Sequence, residues 1–149
     1  MALKQRIRDE MKAALLGGNR FLGDTLRNLS AAILDEEVKQ NKRDEGLNDL
    51  EVEKVVAREI KKRRESAAIY RENDRIDLAE PEEKEVEILQ AYLPKQLSEA
   101  ELQKIVDETI AALGVEDMRG MGQVIGAVKG KVGNQADGAL IAEIGRAHV

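Results

Sequence analysis

The chain lacks cysteine and tryptophan, and it contains one histidine, two prolines, one phenylalanine and two tyrosines. Without cysteine there are no disulfides, no cysteine-ligated metal sites and no thiol nucleophile. The shortage of aromatic residues requires an aliphatic core, and it removes the stacking platforms on which single-stranded nucleic acids bind. Few prolines together with abundant Ala, Glu, Lys and Leu predict an all-α protein.

Long hydrophobic runs are also missing, since no segment approaches the roughly 18 apolar residues of a membrane span. The residues after Met1 are charged and do not resemble a signal peptide. We therefore expect a cytoplasmic protein with no membrane contact. The hydrophobic fraction of 42% and the charged fraction of 36% provide a core and a charged surface, which excludes global disorder.

A recognisable catalytic set is absent as well. The only histidine, His148, is next to the C-terminus, and no serine lies in a Gly-x-Ser-x-Gly turn or a Walker loop. Releasing ammonia from glutamine needs a nucleophile with an activating base, and no such pair is visible. We expect no catalytic residues, no cofactor and no metal. A crowded set of glutamates is interpreted as a solvated acidic face: Glu82, Glu83, Glu85 and Glu87.

Apolar residues at helical spacing predict three helices in the first half of the chain. These helices cover residues 2–16, 24–40 and 49–72. Their predicted apolar stripes are Leu3, Ile7, Met11 and Leu15 in the first and Leu26, Leu29, Ile33, Leu34 and Val38 in the second. Gly17-Gly18-Asn19 is expected to end the first helix.

Four further helices follow. The fourth is outlined by Leu78 to Leu93, with Pro81 in its first turn and Pro94 as its stop. Side-chain caps are predicted for the later helix starts at Ser98, Asp117 and Asp137. No alternating pattern predicts a strand.

The domain prediction has three parts. Residues 1–93 form an N-terminal set of antiparallel helices, residues 94–97 form a short stiff joint, and residues 98–149 form a small three-helix bundle.

The clearest basic cluster is Lys61-Lys62-Arg63-Arg64. The net charge of −5 argues against a nucleic-acid binder, although basic residues outnumber acidic ones between Lys54 and Arg75. Pairs of Glu59 with Lys62 and Arg63 would reduce the free positive charge. A solvated, salt-bridged face and a nucleic-acid contact both remain open for this cluster.

A second feature is the spacing of four residues between Gly122, Gly126 and Gly130. Glycine inside a helix costs about 1 kcal/mol relative to alanine, so a gain must offset it. Two explanations remain open. The stripe packs closely against a neighbouring helix, or a phosphate backbone approaches the helix start near residues 117–122, where free N–H groups favour anions. Arg119, Lys129 and Lys131 would then supply positive charge.

Four segments together resemble the GatB/YqeY family: Thr25-Leu26-Arg27, Leu93–Ser98, Met121–Gly126 and Gly133–Gly138. The family comprises free-standing YqeY-like proteins and the C-terminal tail of the GatB subunit of tRNA-dependent amidotransferase. The chain departs from the family pattern at Ile125, where methionine is common, and in an end that lacks the usual apolar residues. The last helix is therefore expected to fray towards Val149.

The resemblance implies that the tail-like part, approximately residues 83–149, contacts the folded outer corner of tRNA. It implies RNA-facing positions at Met121-Gly122 and Ala136-Asp137-Gly138. The candidate RNA-binding residues are Arg119, Gly122, Lys129, Lys131, Asn134, Asp137, Gly138, Lys61, Lys62 and Arg64. The family is often grouped under carbon–nitrogen ligase activity with glutamine as amido-N-donor, but the residues of this chain do not support independent catalysis.

The leading hypothesis is a tRNA-binding accessory module related to amidotransferase tails. The alternative is a protein–protein adaptor that docks on a tRNA-modifying enzyme through the long charged helix. A third hypothesis is an enzyme that acts on charged tRNA or a small amide. The particular RNA, the partner and the oligomeric state are left open.

Overall fold

The computed structural model describes residues 2–148, apart from the side chain of His148. Within this range the chain is all-α, with seven α-helices and no strand, so the predicted fold class is confirmed. The helices are α1 (Leu3–Leu16), α2 (Arg20–Lys39), α3 (Asp49–Glu72), α4 (Ile76–Gln90), α5 (Glu99–Leu113), α6 (Met121–Val132) and α7 (Gly138–His148). The predicted fraying towards Val149 lies outside the described residues.

The chain divides into two compact units, Met1–Leu93 and Pro94–Val149. In the first unit, α1 packs on α2 and α3 packs on α4 around an aliphatic core. Its fully buried side chains include Ile7, Leu26, Leu29, Val52 and Leu89.

Tyr92 is one of the buried residues of this core. Its hydroxyl donates to Glu10 Oε1 at 2.6 Å, and the guanidinium of Arg6 lies 4.8 Å from the centre of its ring. Burial and the Glu10 carboxylate raise the pKa of Tyr92, so it stays a neutral donor. The tyrosine therefore joins the residues just after α4 to α1.

Predicted limits of two helices are wrong: α2 begins earlier than expected, and α4 both begins earlier and ends at Gln90, ahead of the predicted stop at Pro94. Asn19 is the N-cap of α2, because its side chain accepts the N–H of Leu22 at 3.3 Å. The helix therefore begins at Arg20 and not at residue 24. Pro81 is not in the first turn of α4, because that helix begins earlier, at Ile76. The proline lies in the second turn, where its missing N–H removes one helical hydrogen bond.

The apolar stripes are also partly wrong. Leu15, Leu34 and Val38 were placed on buried faces, yet they are 39%, 45% and 54% exposed. A spacing of four residues drifts by about 40° per step around a helix of 3.6 residues per turn. The stripe of α1 therefore moves off the core, and Ala14 is buried instead of Leu15.

The second unit is built from α5, α6 and α7, whose core includes Leu102, Val106, Val124, Val128 and Ile141. Ser98 and Glu101 exchange both hydrogen bonds of a capping box at the start of α5. Ahead of this helix, Leu97 N donates to Gln135 O at 2.8 Å, which ties the segment before α5 to the one before α7.

No helix within residues 2–148 is long and apolar enough to cross a membrane.

Candidate nucleic-acid interface

One face of α6 carries glycine at three successive turns. Gly122, Gly126 and Gly130 are exposed, and a Cβ added to any of them would have no neighbouring heavy atom within 4 Å. The opposite face of the helix buries Val124 and Val128 in the core. Close packing against the described parts of α5 or α7, the other helices of this unit, is therefore the wrong explanation for these three glycines. We call them the open glycine stripe.

Other glycines of the same unit do serve packing. A Cβ on Gly120 would lie 2.6 Å from Cγ1 of Val115, and one on Gly145 would lie 2.8 Å from Sδ of Met121. The density of glycine in this part of the sequence thus has two causes. Close contacts explain Gly120 and Gly145, whereas no contact among the described residues of the second unit explains the open glycine stripe.

The start of α6 differs from the predicted anion site. A 3₁₀ turn, Met118–Gly120, precedes the helix, and the side chain of Asp117 accepts the N–H of Arg119 at 2.9 Å. Arg119 is 91% exposed, and its Nη2 lies 2.7 Å from Asp117 Oδ2. The side chain and the backbone N–H of Arg119 lower the pKa of Asp117. An internal carboxylate therefore already occupies this corner and offsets the charge of Arg119.

Lys129 and Gly138, by contrast, are brought together. The side chain of Lys129 crosses the first residue of α7, because a Cβ on Gly138 would lie 2.9 Å from its Cε and 3.1 Å from its Nζ. Lys129 is exposed and forms no hydrogen bond or ion pair within residues 2–148. Its ammonium lies beside the N-terminus of α7, where the Asp137 carboxylate already accepts the N–H of Ala139 at 3.3 Å and offsets part of the positive field.

Three other candidate residues form hydrogen bonds within the second unit: Lys131, Asn134 and Asp137. Lys131 Nζ donates to the hydroxyl of Thr109 on α5 at 3.2 Å. At 100° per residue, it lies well away from the open glycine stripe around the axis of α6. The carbonyl of Asn134 accepts from Gln96 at 2.9 Å, and Asp137 Oδ1 accepts the N–H of Ala139 at 3.3 Å. The predicted cap at Asp137 is confirmed.

Some basic side chains of α3 form ion pairs with glutamates, and others form none within the described residues. Lys62 pairs with Glu59 at 3.3 Å, while Lys61 and Arg64 are exposed and have no ion pair within the described residues. Arg63 is only 12% exposed and pairs with Glu59 on its own helix and Glu85 on α4. The predicted intrahelical pairs of Glu59 are confirmed. Of the three α3 candidates, two remain available to a ligand.

The interpretation of the α4 glutamates as a solvated face is partly wrong. Glu83 pairs with Arg71 at 2.6 Å and Glu85 pairs with Arg63 at 3.3 Å, so these carboxylates join α4 to α3. Burial, with the nearby charge of Glu85, raises the pKa of Glu82. No group of three potential metal ligands occurs among the described residues.

These features belong to an all-α protein of two helical units with an open glycine face. A family model described as Yqey-like protein matches residues 4–149, so the chain belongs to the YqeY-like family and the resemblance is confirmed.

Two curated relatives match parts of the chain. The chain is 32% identical over 93 residues to "Altered inheritance of mitochondria protein 41, mitochondrial" of Clavispora lusitaniae, covering 62% of this chain and 52% of the relative. It is 40% identical over 50 residues to an uncharacterized protein of Schizosaccharomyces pombe, covering 34% of this chain and 41% of the relative. The chain thus spans about half the length of these relatives.

Proposed function

We propose that the chain is a tRNA-binding accessory protein, and that the phosphate backbone of a folded RNA approaches the open glycine stripe of α6. The observation that carries this proposal is the lack of any packing partner for Gly122, Gly126 and Gly130 among the described residues of the second unit. Each glycine weakens the helix by about 1 kcal/mol relative to alanine, a cost that an external ligand would offset. The family resemblance to the GatB tail supports tRNA as that ligand.

The charges nearby support the same interpretation. Lys129 lies beside the glycine face, next to Gly138 at the start of α7, and can meet a phosphate without breaking an ion pair. The chain has no phenylalanine, tyrosine or tryptophan after Tyr92, so the second unit lacks the large aromatic platforms on which bases usually stack. An RNA bound there would be recognised by its shape and its backbone. We expect Lys131 to contribute less to RNA binding than Lys129, because its ammonium already donates a hydrogen bond to Thr109.

The test is a titration of full-length protein with folded tRNA at two salt concentrations. Gly126→Leu would fill the stripe without touching the core, and Lys129→Glu would reverse the nearby charge. We expect each variant to weaken binding about tenfold or more, and Lys129→Glu to reduce the salt slope by about one unit. Ala112→Leu, at an exposed position of α5, is the matched control and should bind like the wild type.

Equal binding by Gly126→Leu and the wild type would contradict the proposed surface. Equal affinity for folded tRNA and an unstructured RNA would contradict recognition by shape. Absence of binding at low salt would favour the second candidate, a protein–protein adaptor for a tRNA-modifying enzyme. That candidate is supported by the mixed charge of α3, where Arg58 and Lys62 are held by Glu36 and Glu59.

The proposal also covers enzymatic activity and cellular location. We assign no independent carbon–nitrogen ligase activity to the chain: the hydroxyls of Thr25 and Thr109, which lie beside Glu85 and Lys131, are 1% and 2% exposed and closed to a substrate. Cytoplasmic location stays a prediction, because the name of one relative places that protein in mitochondria.

A further inference from the structure

A separate surface of the first unit has the properties of a ligand site. A cleft of about 470 Å³ lies between α1, α2 and the loop that follows α2. Four of its lining residues are basic: Lys4, Arg8, Arg27 and Arg43. The only carboxylate among the lining residues is Glu37. The cleft therefore carries excess positive charge in a chain whose net charge is −5.

Two of these cations are available. Lys4 is bound to Glu37 at 2.7 Å, and Arg27 is bound to Asp24 at 2.6 Å. Arg8 and Arg43 are exposed and form no hydrogen bond or ion pair within residues 2–148, and the charge of Arg8 acts at longer range on the Glu37 carboxylate. Free guanidinium groups suit phosphate and carboxylate ligands, because their N–H donors can bind two oxygens of one group at once.

The rest of the lining is largely aliphatic. Met11, Ala31, Ile33 and Leu34 contribute to it, and Leu34 is 45% exposed. The hydroxyl of Ser30 also lines the cleft, and its hydrogen-bond partner is the weak acceptor Met11 Sδ at 3.9 Å. No aromatic side chain is among the lining residues, so a stacked base is not favoured there.

We propose that this cleft binds a small amphipathic anion, with a phosphate or carboxylate group between Arg8 and Arg43 and an aliphatic body against Met11, Ile33 and Leu34. Its volume falls in the range of small-molecule pockets, which are mostly apolar with a few polar groups that orient the ligand. The aliphatic lining distinguishes this ligand from a sugar–phosphate backbone. The inference goes beyond the proposed RNA contact, which concerns residues of the second unit.

Isothermal titration calorimetry on the full chain with octyl phosphate, octyl glucoside and inorganic phosphate tests the proposal. Octyl glucoside has the same chain with a neutral head, and inorganic phosphate has the charge without the chain. We expect octyl phosphate to bind more tightly than either. The double variant Arg8→Gln with Arg43→Gln should weaken binding about tenfold or more, because two charge-assisted contacts are lost. Ala31→Leu should also weaken it by filling the cleft.

The matched control is Lys54→Gln with Lys61→Gln, which removes the same charge from exposed positions of α3 and should leave binding unchanged. An equal loss in this control would overturn the proposal, because net charge alone would then explain the binding. Equally tight binding of octyl glucoside would also overturn it. Displacement of octyl phosphate by tRNA would assign the cleft to the RNA surface and would contradict a small-molecule site.

Discussion

Arg63 lies in a run of four basic residues, but its side chain has a different role from those of its neighbours. Its Nη1 donates to the carbonyl of Glu59 at 3.0 Å, and its Nε lies 3.3 Å from Glu85 Oε2 without a hydrogen bond. Lys61 and Arg64, in contrast, are exposed. The carboxylate that draws Arg63 inward belongs to α4, so no local pattern distinguishes it from the residues beside it.

Glu37 is the most deeply buried charge of the first unit, with an exposed fraction of 1%. Its Oε2 accepts from Lys4 at 2.7 Å and from the N–H of Leu47 at 3.0 Å. Burial by itself raises the pKa of this carboxyl, but the bonds to Lys4 and Leu47 and the charges of Lys4 and Arg8 outweigh it and lower the pKa. Its ionised form therefore stabilises the fold.

We predict that Lys4→Met lowers the free energy of unfolding by about 1–3 kcal/mol near pH 7, because Glu37 loses its charged donor while it stays buried. The folded-state pKa of Glu37 is below its ordinary value of 4.5, so the contribution of its ionised form is present above that value. This contribution is lost as the pH falls through the folded-state pKa. The difference between variant and wild type should therefore shrink in acid.

Chemical denaturation near pH 7 and near pH 3.5 measures this effect. Lys12→Met is the control, since Lys12 is exposed on the same helix and has no ion pair within the described residues. It should change stability little at either pH. A deficit in Lys4→Met that stays constant with pH would show that the methylene packing of Lys4, and not its charge, stabilises the fold.

At the scale of the element, α6 combines one face that is buried in the core with another that is exposed and carries only glycine at three successive turns. Met121, Val124, Val128 and Val132 are buried, while the open glycine stripe faces away from them. A helix selected for stability alone would carry alanine or larger residues at the exposed positions. Its composition is therefore better explained by what approaches it than by its own folding.

We predict that Gly126→Ala raises the free energy of unfolding of the second unit by about 0.5–1 kcal/mol, because alanine loses less backbone entropy in a helix and meets no atom at this position. Thermal unfolding followed by circular dichroism is the measurement. Gly120→Ala provides the contrast, since its Cβ would meet the side chain of Val115. A loss of stability in Gly126→Ala would show that the stripe has a packing partner after all.

At the scale of the whole molecule, the two units have separate hydrophobic cores. Leu29 is fully buried in the first core and Leu102 in the second. A short helical unit such as the second one buries little surface and is marginally stable. Damage to one core should therefore affect mainly the unit that contains it.

We predict that Leu102→Ala costs about 2–5 kcal/mol and greatly reduces hydrogen-exchange protection of α5 and α6, while α2 and α3 keep theirs. Hydrogen exchange read by mass spectrometry separates these segments. Leu29→Ala is the reciprocal variant, with the opposite pattern expected. Loss of protection throughout the chain in both variants would show that the two units unfold together. The stiffness of the joint at residues 94–97 stays a prediction.

The sequence by itself determined the all-α class and most helix limits. Those features depend on side chains within a few residues of one another, as in the cap at Ser98. It also selected Lys129 and Gly138 as candidates. The tertiary structure alone decided that the glycine stripe is open, that Arg63 is held inward, and that Arg8 and Arg43 lie beside an aliphatic cleft without an ion pair within residues 2–148. Burial and ion pairing depend on residues from other helices, and sequence spacing does not encode those distances.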